Sequence, residues 1–328
     1  TGPRPEPMRR LPIDLGSATD ASAPAEALSA SSRRWALLFY IIGVALLAAA
    51  AWAVLGQQAL ITETWHSARA APWWLVSAII TLPILSWLCT NGTYFTLTRH
   101  YGQVGWWEMA GLIAAAWLLN YLPLRPGMFG RVAYHKAVNK IAVRDSARVI
   151  AMAVACTAMG AAIMVGAALA VRSVAAEDHR ALMMALVQSG VWLLLAAAAA
   201  AVRAVAPAGL AWRVLAALAW RFADMLIWAL RYWAAFALLG KPIDFATAAG
   251  LAAVAQVGML APIQFGVREW LIGLWTPVMV VGLTADLVNR AIEVLIAVPL
   301  GLASSFWLYR RRTAAAALSR APGSSTGR

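Results

Sequence analysis

Apolar runs of about twenty residues recur along this chain, and no other feature limits its fold so tightly. A helix of that length just crosses the roughly 30 Å hydrocarbon core of a bilayer. Such runs fall at 35–55, 73–97, 147–171, 181–202, 212–239 and 286–309. Of 328 residues, 62% are apolar and 12% charged, against roughly 25% charged in an ordinary soluble domain. A soluble fold is excluded. Trp35, Trp73, Trp74, Trp106, Trp107 and Trp307 fall near segment ends, where an amphipathic ring favours the headgroup layer.

Two further segments are apolar but broken. Residues 106–143 are interrupted by Pro123-Leu-Arg-Pro-Gly127, and 245–283 by Pro262-Ile-Gln-Phe-Gly266. Each reads as a crossing or as a re-entrant hairpin, and charge placement favours the hairpin. If both dip in and return, 19 of the 27 basic residues face the cytoplasm, among them the six between Arg125 and Arg148. A crossing at 106–122 would put those six outside, against the positive-inside rule. The net charge of +13 therefore reflects topology, and a nucleic-acid partner is not expected.

The expected fold is all-α: a polytopic membrane protein of a bacterial inner membrane, with both termini cytoplasmic. A membrane domain at 35–312 lies between tails at 1–34 and 313–328 that are expected to be disordered, being rich in Ala, Ser, Arg and Pro or Gly.

The membrane domain contains a repeat. Residues 110–127 align without a gap on 249–266, an offset of 139, with Gly111/Gly250, Leu112/Leu251, Pro123/Pro262 and Gly127/Gly266 among the matches. The same offset carries 73–97 onto 212–239 and 147–171 onto 286–309. The halves, 35–171 and 181–309, each hold three spans and one hairpin. An odd number of crossings makes them point oppositely, the inverted repeat of many secondary transporters.

Proline removes a backbone donor and glycine loosens the chain, so Pro123, Pro126, Gly127, Pro262 and Gly266 leave peptide groups unpaired within apolar sequence. Such groups persist only inside protein or beside water. They are expected to line a cavity, with Arg125 in the first break and Arg268 just past the second. Arg125 reads equally as a cytoplasmic flanking charge, and Arg268 as a structural partner of Glu269. Within 212–239, Arg221, Asp224, Trp228 and Arg231 are spaced 3, 4 and 3 and share one helix face. Each charge at a helix centre costs about 2.5–3.5 kcal/mol to insert, so that face must meet partners or water. Asp224 satisfies one arginine, leaving the other for an anionic ligand or for Glu293. Ser86, Thr90 and Thr93 form a polar stripe that lines the same cavity or serves helix packing.

Neither cysteine, Cys89 or Cys156, belongs to a metal or redox motif, and His66, His100, His135 and His179 lack ligand spacing and read as surface residues. No nucleotide-binding, hydrolase or zinc-protease motif occurs, so no enzyme activity, cofactor or metal is expected.

The stretches Leu119-Asn-Tyr-Leu-Pro-Leu-Arg-Pro-Gly127, Gly130-Arg131 and Pro262-Ile-Gln-Phe-Gly-Val-Arg-Glu269 resemble the lysylphosphatidylglycerol synthase transmembrane region, the flippase-like or YbhN-type family of integral membrane proteins. Pro262, Gly266 and Glu269 match its second break, while Ile263 and Gln264 stand where paired glycines are usual. The resemblance spans about 35–312. It implies a lipid translocase without the aminoacyl-transferase domain of its two-domain relatives. The expected partner is an anionic or polar-headed membrane lipid, moved between leaflets without ATP, with Arg125, Arg221, Arg231 and Arg268 at the headgroup and Asp224, Glu269 and Glu293 tuning the charge. The rivals are a small-solute or ion transporter and a non-transporting partner that recruits a lipid-modifying enzyme.

Overall fold

The computed structural model describes residues 41–320 apart from 43, 46–47, 57, 122–125, 176–198, 201–202, 204–208 and 261–265. Among these residues there is no strand. The helices are α1 (Gln58–Ala70), α2 (Trp73–Thr98), α3 (Trp106–Leu119), α4 (Pro126–Ala137), α5 (Val143–Ala175), α6 (Ala211–Leu238), α7 (Phe245–Leu260), α8 (Val267–Trp275) and α9 (Met279–Arg320).

Three of them are long and apolar enough to cross a membrane: α2, α5 over Val143–Ala168 and α9 over Met279–Arg311. The 28-residue α6 has the length, but Arg213, Arg221, Asp224 and Arg231 lower its hydropathy. Of the other expected spans, 181–202 lies almost wholly outside the described residues, and of 35–55 only 41–42, 44–45 and 48–55 are described, all as helix. Large apolar side chains face outward along the bundle: Trp73 is 80% exposed, Leu295 72% and Trp107 69%. A water-soluble surface rarely carries so much apolar area, whereas a lipid-facing one requires it.

Helix ends follow local chemistry. Pro126 opens α4, where its missing N–H is not needed. Gly266 precedes α8 at φ +80°, a conformation that costs any L side chain. At the start of α7, Asp244 Oδ1 accepts the Thr247 N–H at 2.8 Å, a side-chain cap on an orphan donor. The C-terminal end departs from expectation. Helix α9 runs through Arg320, past residue 313, where the tail expected from the sequence begins, and the Ala-rich stretch there has high helix propensity.

The packing comes in matched sets. Helices α3 and α7 begin 139 residues apart, at Trp106 and Phe245, the offset read from the sequence. Taking α2 with α6, α3 with α7, α4 with α8 and α5 with α9 as counterparts, each contact among these eight helices has its counterpart. Helix α3 packs on α9 as α7 packs on α5, α2 on α3 as α6 on α7, and α4 on α5 as α8 on α9. Helix α2 meets α9 as α6 meets α5, and the self-matched pair, α2 against α6, forms the centre. Small residues allow the close approaches. A Cβ on Gly92 would lie 2.6 Å from the Trp220 indole, and one on Gly301 3.0 Å from the Ala114 carbonyl oxygen. The largest apolar cluster joins Met164, Met225, Tyr232, Leu251 and Ile272 from α5 to α8, leaving a polar centre on its flank.

Candidate functional site

A cavity of about 250 Å³ lies among α2 to α9 and is lined by polar side chains from nearly all of them. The face of α6 predicted from its spacing points into it: Arg221, Asp224, Trp228 and Arg231 all line the cavity. They are buried, with Asp224 1% and Arg231 2% exposed.

The charges form two groups. In the first, Arg221 Nη1 donates to Asp224 Oδ2 at 2.8 Å and reaches Thr90 Oγ1 at 3.4 Å. The Ser86 hydroxyl donates to the other Asp224 oxygen. Thr90 and Ser86 thus line the cavity, as part of the expected stripe. Thr93 instead donates to the Cys89 carbonyl of its own helix at 3.1 Å, the packing alternative.

The second group joins α6, α8 and α9. Arg231 donates to Glu293 Oε1 and stacks 4.0 Å from the Trp228 ring centroid. Arg268 donates through Nε to Asp286 at 2.9 Å and through Nη1 to Glu293 at 3.2 Å. Tyr232 donates to the remaining Asp286 oxygen at 2.7 Å. Arg290 donates to Glu269 at 2.9 Å. Glu293 thus holds guanidiniums from two other helices, and the group fastens α6 and α8 to α9. Removing one partner of such a buried pair costs about 3–5 kcal/mol, because the other charge is stranded.

Of the predicted residues, Arg221, Asp224, Arg231, Arg268 and Glu293 converge on this one cavity. Glu269 is adjacent, through Arg290. The suggested Arg268–Glu269 pair does not form. Neighbours in sequence on a helix point about 100° apart, so Arg268 faces Asp286 and Glu293 while Glu269 faces Arg290. Arg125, Pro123 and Pro262 lie outside the described residues. Gly127 is buried against α3, where a Cβ would come within 2.7 Å of the Ala116 Cα. Pro126 is half-buried at the head of α4.

Sequence reasoning passed over Arg131, Arg290 and Asp286. Arg131 is 6% exposed, lines the cavity and lies 3.8 Å over the Tyr94 ring. The sequence places it among the six basic residues expected at the cytoplasmic face. Its place in the Gly130-Arg131 pair, so close to the first break, was the available signal. His135 is not a surface residue. It is 3% exposed, with Nδ1 3.0 Å from Asn139 Oδ1. Asn139 in turn donates to Glu108 at 3.0 Å, and Arg311 of α9 lies 3.4 Å from the same carboxylate. The position of His135 one helical turn before Asn139 produces this inward-facing pair.

Around the cavity, five buried guanidiniums, those of Arg131, Arg221, Arg231, Arg268 and Arg290, therefore stand against four carboxylates, Asp224, Glu269, Asp286 and Glu293, while the fifth buried carboxylate, Glu108, is engaged by Asn139 and Arg311. Several donors in the set have no hydrogen-bond partner among the described residues: Nε of Arg221, Nε of Arg231 and Nη2 of Arg268. Such a site attracts an anion. Among the described residues no three His, Cys, Asp or Glu side chains converge as metal ligands would.

Beside the cavity, an open groove of about 280 Å³ runs along α3 and α9, lined by Trp107, Gly111, Ser304 and Trp307. Trp87 lines both, and its indole donates to the Ala110 carbonyl at 3.3 Å. The chain matches no family model, no curated protein and no solved structure.

Proposed function

We propose that this chain is an integral membrane carrier that moves an anionic or polar-headed lipid between leaflets without ATP. The observation that carries the proposal is the arginine-rich cavity inside a helical bundle whose outer surface is apolar. Charged groups within a membrane protein are costly enough that function is their ordinary reason. Here the carboxylates paired with the cavity arginines account for four of the five guanidiniums, Glu108 being held by Arg311 and Asn139, and the remaining positive charge suits a headgroup. Trp87 forms a common wall between the polar cavity and the outward groove. That neighbourhood favours a lipid over a small solute, since a lipid's acyl chains must stay in the bilayer while its head is held inside.

In this proposal the matched packing of α2–α5 with α6–α9 is an inverted repeat, with α3–α4 and α7–α8 as re-entrant hairpins dipping from opposite sides. Helix α6 is a span whose charges are hidden at the centre, and the termini are cytoplasmic in a bacterial inner membrane. The resemblance to the flippase-like family belongs to the same proposal.

The test is reconstitution of the purified chain in liposomes that carry fluorescently labelled phosphatidylglycerol, with dithionite bleaching the outer leaflet. Wild-type protein is expected to expose the inner-leaflet label, and Arg221→Ala to remove that activity while the protein remains inserted. A wild-type protein that leaves the inner half unbleached refutes translocation. An Arg221→Ala variant as active as wild type refutes the role of the cavity charge.

A further inference from the structure

The unmatched charge is localised. In the group around α8 and α9, Arg231, Arg268 and Arg290 face Glu293, Asp286 and Glu269, three against three. In the group around α2 and α6, Arg131 and Arg221 face Asp224 alone, and Asp224 is bound to Arg221. Among the described residues no carboxylate pairs with Arg131, whose neighbour is the Tyr94 ring. Arg221 approaches the same ring at 6.0 Å, which keeps the two guanidinium carbons within about 10 Å of each other. A guanidinium hydrogen-bonded to a phosphate sits about 4 Å from phosphorus, so one phosphate between two arginines spans about 8 Å.

We propose that Arg131 and Arg221, with Thr90 beside them, form a subsite for a singly charged oxyanion of the phosphodiester type; the proposal rests on the carrier reading above. The chemistry selects this class in two ways. A single extra positive charge in a buried site calls for one negative charge, and a phosphodiester carries one at neutral pH, whereas a phosphomonoester carries about 1.5–2. The donors come from separate helices, α4 for Arg131, α6 for Arg221 and α2 for Thr90. Donors from several directions suit a tetrahedral group with oxygens in more than one plane better than a flat carboxylate, which one arginine fork fills along a single edge. The unpartnered Nε of Arg221 is the donor such an oxygen would take.

The subsite also gives Asp224 a role. Held by Ser86 and Arg221, it fixes the guanidinium in place and keeps the subsite at one net positive charge, which disfavours a dianion.

The test is calorimetric titration of the detergent-purified full chain with three probes: dihexanoyl phosphatidylglycerol, the phosphate-free dihexanoylglycerol and inorganic phosphate. Phosphatidylglycerol is expected to bind at least tenfold more tightly than dihexanoylglycerol, which has no phosphate. Arg131→Gln should weaken it about 10- to 100-fold, the range of a lost charge-assisted hydrogen bond. Arg131→Lys should retain part of the affinity, since the charge stays and the fork is lost. Arg148→Gln, at a part-exposed pair with Asp145, should bind as wild type does. Inorganic phosphate, which carries more than one charge at neutral pH, competing as strongly as the lipid would overturn the phosphodiester selectivity. Equal affinity for the two lipids, or undiminished binding by Arg131→Gln, overturns the subsite. Because binding is read without transport, a protein that binds phosphatidylglycerol selectively but moves no lipid refutes the carrier reading alone.

Discussion

Arg131 and Arg268 are both buried arginines of the same cavity, yet their loss should have opposite consequences for stability. Arg268 is 1% exposed and holds Asp286 at 2.9 Å and Glu293 at 3.2 Å. Arg268→Gln leaves Asp286 with only the Tyr232 hydroxyl, so the cost is that of breaking a buried pair, about 3–5 kcal/mol. At roughly 2–4 °C per kcal/mol for a chain of a few hundred residues, the melting temperature should fall by about 6–20 °C. Arg131 has no carboxylate among the described residues. Arg131→Gln forfeits its stacking on Tyr94, about 0.5–2 kcal/mol, and in return relieves an uncompensated buried charge, worth as much or more. Its melting temperature should stay level or rise by a few degrees. Thermal unfolding of the two variants in the same detergent, followed by tryptophan fluorescence, makes the comparison. If Arg131→Gln melts as early as Arg268→Gln, Arg131 is a matched structural charge and the localisation of the positive excess is wrong.

Two glycines of α4 give a second contrast. A Cβ on Gly127 collides with Ala116, whereas one on Gly130 meets nothing within 4 Å. Gly127→Val should cost about 1–3 kcal/mol or more by overpacking, and Gly130→Ala should gain about 0.5–1 kcal/mol of helix propensity, both read as melting shifts. Gly266→Ala forces a side chain to φ +80° and should cost about 1–2 kcal/mol, with Gly250→Ala, whose Cβ would meet only Trp275 Nε1 at 3.6 Å, as the harmless comparison. Topology has its own assay. Cysteines placed at exposed Arg144 and Val278, near the starts of the counterpart helices α5 and α9, should label from opposite sides of the membrane with an impermeant maleimide. Labelling of both from one side would exclude the inverted arrangement.

Much of the architecture was legible in the chain because hydrophobic length and helical period are local properties. The runs at 73–97 and 147–171 became α2 and α5, and the 3-4-3 spacing on α6 put Arg221, Asp224, Trp228 and Arg231 on one cavity-facing side. The 139-residue offset reappeared as the starts of α3 and α7. Partner choice was not legible, because it depends on which helices meet. Arg268 lies next to Glu269 in sequence and bonds instead to Asp286 and Glu293 on α9, while Glu269 turns to Arg290. Arg131 and His135 looked like members of a cytoplasmic basic cluster, and the return of α4 against α3 buried both.

The sequence by itself thus determined that the chain is a helical membrane protein, since apolar length and composition are written residue by residue. Only the tertiary structure decided where charge remains unmatched, because a guanidinium is neutralised by whatever carboxylate lies within a few ångströms of it. That distance is set by the packing of α2, α4 and α6 around Tyr94, which no local pattern encodes.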